Sequence, residues 1–592
     1  MEMQLNLYTP ETLLRKYKLL RREMLAENIQ WLDKRIAILG GSTTTDIRKM
    51  LELFLLSHGI RGEFYESEYG QYWQDAMFGT QELLEFYPDI IFIHTSNRNI
   101  TQYPIAGDDT QIVNALLEAE YNRFTAMWDK LAIDYKCPII QNNFEYPFWR
   151  LLGNADASFV SGRVNFITRL NLKFAEYAQS HSNFYINDIN WLSADYGLEA
   201  WSAPYYWHMY KYALALPAIP RLAESAANII KSIYGKNKKA FALDLDNTLW
   251  GGIVGDDGPE NLQIGQETSV GQVYSEFQQY LKAHEQIGVI LNVVSKNEAE
   301  NALAGLKRPD SILKPEDFIA IKANWNPKSE NLQEIAQELS LLPESFVFID
   351  DNPAERAIIN QEFPLVPTPE MGRPENYIKA IDRGGYFEVT SLTKDDISRG
   401  IMYKDNAARS KQQASFTNYE EYLRSLEMRA EIKPFIPIYF SRIAQLTNKS
   451  NQFNLTTLRC TQEEIQHFAE NPNYITLYGK LQDKFGDNGV VSVVIGEIKG
   501  TELHIRLWLM SCRVLKRDME FAMMRELVRE ASCQGMKTIY GYYYPTAKNK
   551  MVQSFYEKQG FTKQQEDKEG NVVWSLDIAS GYQGKETAIH IN

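Results

Sequence analysis

Cysteine is scarce in this chain. Cys137, Cys460, Cys512 and Cys533 are spread over 592 residues with no Cys-x-x-Cys pair among them. Such spacing offers no disulfide framework and points to a reducing compartment. Basic charge is also short: 62 Lys and Arg stand against 76 Asp and Glu, a net charge of −14. A main partner of nucleic acid is thereby excluded, because such proteins present a basic face, although a local basic site for a phosphate is not. Residues 1–20 contain Arg15, Lys16 and Lys18 and no long apolar run, so neither a signal peptide nor a membrane span is expected there. Internal repeats and low-complexity tracts are absent. The expectation is a cytoplasmic protein with no membrane partner. At ~150 residues per domain its length suggests three or four domains.

What is present centres on Phe241-Ala242-Leu243-Asp244-Leu245-Asp246-Asn247-Thr248-Leu249-Trp250. It reads as an apolar strand ending in two carboxylates one residue apart, which period-2 geometry places on one face. The carboxyl end of a parallel strand is where open α/β sheets bind ligands. A second strand, residues 288–294, runs into Ser295-Lys296-Asn297, and a third, 346–349, runs into Asp350-Asp351. Between them Lys328 sits on a loop just before a helix. Each piece suits phosphoryl transfer. Clustered carboxylates hold Mg2+, the metal neutralises nucleophile and phosphate together, and a hydroxyl and an ammonium bind the remaining phosphate oxygens. A second carboxylate gives a proton to the leaving group and then activates water.

This set, in this order, resembles the haloacid dehalogenase superfamily. The resemblance implies that Asp244 is the nucleophile and Asp246 the general acid/base. It implies that Ser295 and Lys328, with Asn247 and Thr248, bind the phosphoryl group. It also implies that Asp350 and Asp351 hold Mg2+ with Asp244 and the Asp246 main-chain carbonyl. The intervals from Asp246 to Ser295 and from Ser295 to Lys328 leave no room for a separate cap domain. A capless core suits a large or protein-tethered substrate, or closure by flanking regions. The continuation Trp250-Gly251-Gly252-Ile253-Val254-Gly255-Asp256-Asp257-Gly258 resembles the signature of FkbH-like proteins. That resemblance implies transfer of a glyceryl unit, made from 1,3-bisphosphoglycerate, to the phosphopantetheine thiol of an acyl carrier protein.

Residues 1–232 precede this centre. A helix is expected over 11–25, then strand 35–39, a Gly40-Gly41 turn and a helix over 46–57 capped by Ser or Thr. Further strands are expected at 90–94 and 184–186, giving a parallel α/β layer. Ser42, Asn97 and His208 follow the order of an SGNH-type esterase, in which a serine attacks, an asparagine binds the oxyanion and a histidine is the base. Tyr205 stands where that family has aspartate, and Gly-Gly-Ser where it has Gly-Asp-Ser. An incomplete, non-catalytic relative is therefore expected, with Ser42 as a helix cap and His208 in an aromatic core.

After the centre, 233–375, residues 376–430 read as charged connecting helices within a third region, 376–592. Polar loops are expected at 448–457 and 483–489, strands at 489–496, 502–510 and 538–543, and helices at 518–531 and 550–558. This succession, closing in Phe555-Tyr556-Glu557-Lys558-Gln559-Gly560-Phe561, resembles the GNAT acyltransferase fold. In that family an Arg-x-x-Gly-x-Gly loop binds the pyrophosphate of coenzyme A. Here the stretch is Arg513-Val514-Leu515-Lys516-Arg517-Asp518, with both glycines replaced, which argues against acetyl-CoA. Arg513, Lys516 and Arg517 remain candidates for another anion, or form a solvated turn. Cys512, at a strand end before these cations, is a candidate acyl-carrying nucleophile, the alternative being a small buried hydrophobe.

The expected architecture is thus α/β and multidomain. A central capless Rossmann-like parallel sheet is flanked by an SGNH-like α/β domain and a GNAT-like α+β domain. The expected function is a Mg2+-dependent phosphatase coupled to glyceryl transfer onto an acyl carrier protein. The alternatives are a stand-alone phosphatase with non-catalytic flanks and a phospho-ligand-binding scaffold.

Overall fold

In the computed structural model, which describes residues 5, 8–27, 29–413, 415–546 and 548–591, the chain forms two compact units, Met1–Ile233 and Tyr234–Asn592. The strands fall into sheets of five, four and nine. No described helix is long and apolar enough to cross a membrane.

The first unit is built on β1 (Leu32–Gly40), β2 (Ile60–Glu66), β3 (Ile90–His94), β4 (Ile139–Asn142) and β5 (Phe184–Asn187). All neighbours pair in parallel, in the order β2-β1-β3-β4-β5. The expected runs at 35–39, 90–94 and 184–186 are β1, β3 and β5. Two strands lie outside the expectations. β2 is an edge strand whose exposed positions are charged, so it carries no apolar run. β4 is Ile-Ile-Gln-Asn, fully buried, with its polar half satisfied by side-chain hydrogen bonds. Helix Thr110–Tyr135 and helix Arg163–Ser180 pack Phe124, Trp128 and Phe174 against Phe144 and Phe184, forming an aromatic core.

The second unit opens with β6 (Ala240–Leu243), β7 (Ile290–Ser295), β8 (Phe318–Ala323) and β9 (Phe346–Ile349), parallel in the order β8-β7-β6-β9. Alternation along β6 splits the core. Phe241 and Leu243 face helix Ser269–Ala283 through Phe277 and Leu281, while Ala240 and Ala242 face helix Lys328–Glu338 through Leu332 and Ile335. The stretch from Asp244 to β7 holds a short hairpin-like flap, bridged at Gly251 and Gln263, and then this crossover helix. The stretch from β7 to Lys328 holds helix Ala299–Leu306 and β8. Neither inserts a cap, as the spacing predicts.

The remaining strands are β10 (Arg429–Lys433), β11 (Phe453–Asn454), β12 (Tyr474–Asp483), β13 (Gly486–Lys499), β14 (Glu502–Met510), β15 (Thr538–Tyr543), β16 (Thr562–Glu566), β17 (Val572–Asp577) and β18 (His590–Ile591). The order is β16-β17-β15-β14-β13-β12-β10-β18, with β11 beside β14. Helix Met519–Cys533 buries Met519, Ala522, Met523 and Leu527 against the sheet, so its apolar stripe is core. The loop expected at 483–489 is instead a tight hairpin between β12 and β13, in which Asp483 accepts from Phe485 N and Gly486 N. The helix expected over 550–558 is broken into two short turns, Lys550–Val552 and Phe555–Lys558.

β14 and β15 are parallel neighbours that pair only from Glu502↔Thr538 to His504↔Tyr540 and then diverge. Diverging parallel strands leave backbone groups open to an extended arm added as another strand. Here the opening is filled by the chain itself. β11 pairs with Leu509 and Met510, Leu455 N donates to Trp508 O (3.0 Å), and Tyr544 N donates to Leu455 O (2.9 Å). Asn549 Nδ2 clamps the plug from the side through Asn454 O (2.9 Å).

Candidate active site

The carboxyl ends of β6 and β9 bring three carboxylates together. One oxygen each of Asp244, Asp350 and Asp351 lies within 4.8 Å of the others. The side chains of Asp244 and Asp350 are buried. Lys328, the first residue of its helix and itself buried, reaches between them, Nζ standing 2.9 Å from Asp244 Oδ1 and 2.6 Å from Asp350 Oδ2. Burial and the neighbouring Asp244 charge push Asp350 up to about 7. Burial, then Asp244, also raises Asp351. Burial alone would lower the Lys328 pKa, but the Asp244 and Asp350 charges outweigh it and the net shift is upward. One ammonium does not offset three carboxylates. The all-oxygen donor set with an excess of negative charge fits a hard divalent cation such as Mg2+.

Asp350 and Asp351 are themselves aimed by their neighbours. Asn352 N donates to Asp350 Oδ1 (2.9 Å), and Arg356 Nη1 binds the carbonyls of Asp350 (2.7 Å) and Asp351 (2.8 Å). Ser295, the last residue of β7, is buried beside β6, whose register pairs Leu243 with Val293.

Asp246 turns away from the metal cluster. Its Oδ1 accepts from Trp250 Nε1 (2.9 Å) and Val254 N (3.0 Å), and its Oδ2 from Asn297 Nδ2 (2.9 Å). Burial raises its pKa, the Val254 and Trp250 hydrogen bonds opposing. A raised carboxyl beside a phosphoryl site suits a general acid. Trp250 is fully buried against Gly305, where an added Cβ would sit 2.8 Å from the indole. Asn297, which the motif reading does not single out, is the side chain that holds Asp246 Oδ2. Its signal was the position two residues after Ser295, at a strand's carboxyl end.

Two expected phosphate ligands are engaged elsewhere. Asn247 adopts the left-handed conformation (φ +56°), which asparagine tolerates, and its Oδ1 accepts from Gly252 N (3.0 Å). The Thr248 hydroxyl accepts from Asp351 N (3.2 Å) and lies 3.4 Å from Asp351 Oδ1. Both side chains shape the loop and the metal-side carboxylate.

Ser42, Asn97 and His208 do not assemble. Ser42 is buried and pairs with His94, Nε2 to Oγ at 3.0 Å, while His208 is exposed on helix Pro204–Tyr210. Ser42 caps no helix either. The residue capping Thr45–Ser57 is Thr44, which makes no side-chain cap bond. Asn142 Nδ2 faces both His94 Nδ1 (2.9 Å) and the Thr95 carbonyl (3.3 Å), and a carbonyl only accepts. His94 Nδ1 is therefore the acceptor and Nε2 carries the proton toward Ser42. Burial lowers the His94 pKa to about 4, so the ring stays neutral. This tautomer cannot remove a proton from Ser42. Asn97 Nδ2 is committed to the carbonyls of Glu145 and Tyr146, both at 3.3 Å.

Cys512 opens a short 3-10 turn after β14, partly exposed, with Tyr403 beside it. Lys239, Arg399 and Arg513 share its surroundings. Lys239 immediately precedes β6 and Asp244 immediately follows it, so Cys512 faces the opposite end of that strand from Asp244. Five residues of strand span about 16 Å. Of the expected basic turn, Arg517 is buried on Asp483 (3.1 Å), which also holds Arg409 (2.7 Å), and Arg513 rests on Ser511 Oγ (3.3 Å) and Met402. Lys516 alone of the three is exposed.

Residues 35–231 match the family model of the FkbH N-terminal domain. No curated protein matches the chain. Among solved structures, the chain is similar to the N-terminal part of protein BF1531 from Bacteroides fragilis, which contains a phosphatase domain and is complexed with Mg. The identity is 28% and the TM-score 0.60, over 65% of this chain and 100% of that one. The ribosomal-protein-S18-alanine N-acetyltransferase from Escherichia coli matches at 12% identity and TM-score 0.21, over 25% of this chain and 94% of that one. A GNAT-family acetyltransferase from Streptococcus pneumoniae matches at 17% and 0.22, over 25% and 99%. The core carrying Asp244 is of the haloacid dehalogenase type.

Proposed function

We propose that the second unit is a Mg2+-dependent phosphatase that works through an aspartyl-phosphate on Asp244. The observation that carries this reading is the convergence of Asp244, Asp350 and Asp351 at adjacent strand ends with Lys328 between them. The Mg-bound phosphatase domain of the Bacteroides protein supports it. Asp244, Asp350 and Asp351 would hold the cation, with the Asp246 carbonyl as the further ligand that the family resemblance implies. When bound, the cation neutralises the nucleophile and the phosphoryl oxygens.

An Asp244 oxygen attacks phosphorus in line, and the bond from phosphorus to the leaving oxygen breaks. Asp246 delivers its proton to that oxygen. Asp246, now a carboxylate, takes a proton from water, whose oxygen attacks the aspartyl-phosphate. Phosphate leaves and Asp244 is restored. Lys328 and Ser295 bind the transferring oxygens. The test is hydrolysis of an aryl phosphate with Mg2+. We expect turnover that is abolished by EDTA and by Asp244→Asn. Turnover unchanged in Asp244→Asn would refute the scheme.

The finer reading is an FkbH-like glyceryl transferase. The Cys512 thiolate attacks the acyl carbon of 1,3-bisphosphoglycerate, expelling phosphate, and the carrier-protein thiol then takes the acyl group from the thioester. The cations near Cys512 and the match of residues 35–231 support it. Because Cys512 and Asp244 face opposite ends of β6, dephosphorylation then acts on a group that has left Cys512. Intact-mass measurement of an acyl carrier protein, incubated with the chain, Mg2+ and 1,3-bisphosphoglycerate, tests this. A glyceryl adduct lost in Cys512→Ala is expected. Absence of any adduct favours a stand-alone phosphatase, a reading the filled opening beside β14 also supports.

A further inference from the structure

The first unit contains a cavity of about 260 Å3 outside the carboxyl ends of β3 and β4. This is the side of a parallel sheet on which ligands bind. It is smaller than the roughly 300–1,000 Å3 of pockets for drug-sized molecules, and so suits a small metabolite. Neither Ser42 nor His208 lines it.

Two guanidinium groups face this cavity, and both are held by aromatic rings. Arg98 lies 4.5 Å over the Trp207 ring, and Arg163 lies 4.5 Å over Trp149 and 4.9 Å over Tyr103. Among the described residues neither guanidinium donates a hydrogen bond or forms an ion pair. That is unusual beside the other partly buried arginines of this unit, since Arg21, Arg48 and Arg123 each meet a carboxylate. Stacking fixes each guanidinium plane while leaving its N–H edge free, the preorganisation that bidentate binding of an oxyanion needs. The carboxyl group in the wall does not fill this role. Glu145 is buried, and its Oε2 accepts from Asn97 N (3.2 Å) rather than from either arginine. Burial pushes Glu145 up to about 7, so it brings less than a full charge to the cavity at neutral pH.

We propose that this cavity binds a small organic dianion, a phosphate monoester or a short dicarboxylate, between Arg98 and Arg163, and holds it without cleaving it. The two free cationic edges match two negative charges, and the Trp149 and Trp207 rings cover the ligand's carbon body. Ser42 lies outside the cavity and His94 is in the wrong tautomer, so the Ser42–His94 pair presents no nucleophile to the ligand. The site is independent of the phosphatase reading, because no residue of the second unit takes part.

The test is isothermal titration of the full chain in EDTA with phenyl phosphate and, separately, succinate. At least one probe is expected to bind saturably. That binding is expected to weaken at least tenfold in Arg98→Gln and in Arg163→Gln, and to persist in Lys328→Ala. Phenyl phosphate binding that is lost in Lys328→Ala and kept in both arginine variants would belong to the phosphatase site and overturn the proposal. Absence of saturable binding by either probe would overturn it too. If Arg98→Gln lowers the unfolding midpoint, Trp207→Leu reads the same site: weaker binding supports the proposal and unchanged binding refutes it. Ser42-dependent hydrolysis of p-nitrophenyl acetate would refute the claim that the ligand is held uncleaved.

Discussion

Asn297 Nδ2 donates to Asp246 Oδ2 across 2.9 Å, fixing the carboxyl group that the proposed scheme uses as acid and then as base. A donor to the ionised form lowers a carboxyl pKa, so its removal raises it. Asn297→Ala should shift the pH–rate profile of aryl phosphate hydrolysis upward, because Asp246 then stays protonated to higher pH. A lost hydrogen bond to a charged group costs about 1.5–3 kcal/mol, so kcat should fall by roughly 10- to 100-fold. A profile of unchanged shape and position would mean that Asn297 only packs.

Lys328 is the counter-charge of the metal-free cluster. Without it Asp244 and Asp350 repel each other in a buried site, and protonation of Asp350 or a divalent cation has to compensate. Lys328→Met should therefore lower the thermal midpoint in EDTA, and Mg2+ should restore more of it than in the natural chain. Turnover should drop by at least ~100-fold, because the phosphoryl oxygens lose their ammonium. Equal Mg2+-induced shifts in the two proteins would show that Lys328 does not balance the cluster.

The carboxylate–lysine cluster is legible in the sequence because its carboxylates sit at the ends of apolar strands, where motif and topology coincide. Asp244, Asp350 and Asp351 converge there, with Lys328 between Asp244 and Asp350. Asn247 and Thr248 were read from the same motif as phosphate ligands, but the side chains bend back to Gly252 and Asp351. A one-dimensional pattern gives proximity and leaves rotamers open. β4 was hidden because half of it is Gln141 and Asn142, buried polar residues that are satisfied only in the folded state. The Ser42–His94 pair was missed for a related reason: the family order pointed to His208, while the nearer imidazole lay at the end of an apolar strand. β11 is two residues long and pairs with a strand far away in sequence, so no periodicity announces it.

The plug beside β14 makes a prediction of its own. Leu455 uses both of its backbone hydrogen-bonding groups, one on each diverging strand, so an incoming pantetheine arm would have to displace it. The turn that would cradle a pyrophosphate lacks both glycines, and Arg517 is consumed by Asp483. Titration with coenzyme A at millimolar concentration should therefore give no saturable heat. Saturable binding would show that residues 453–456 leave the opening.

His94 and Glu145 give the first unit two opposed acid–base terms. Burial holds the His94 pKa at about 4, below its ordinary 6.5, so the unfolded chain binds the extra proton and stability is lost as pH falls from 6.5 toward 4. Burial holds Glu145 at about 7, above its ordinary 4.5, so the folded chain keeps the extra proton and stability is lost as pH rises from 4.5 toward 7. Each term amounts to about 3 kcal/mol at most, at 1.36 kcal/mol per pKa unit. Between pH 4.5 and 6.5 they act in opposite directions and largely cancel. Glu145→Gln removes one of them. The difference in unfolding free energy between Glu145→Gln and the natural chain should then rise by about 3 kcal/mol from pH 4.5 to 7, read from urea denaturation of the full chain at each pH. Parallel profiles would mean that Glu145 is ionised in the folded protein across this range, with Arg98 close enough to neutralise it.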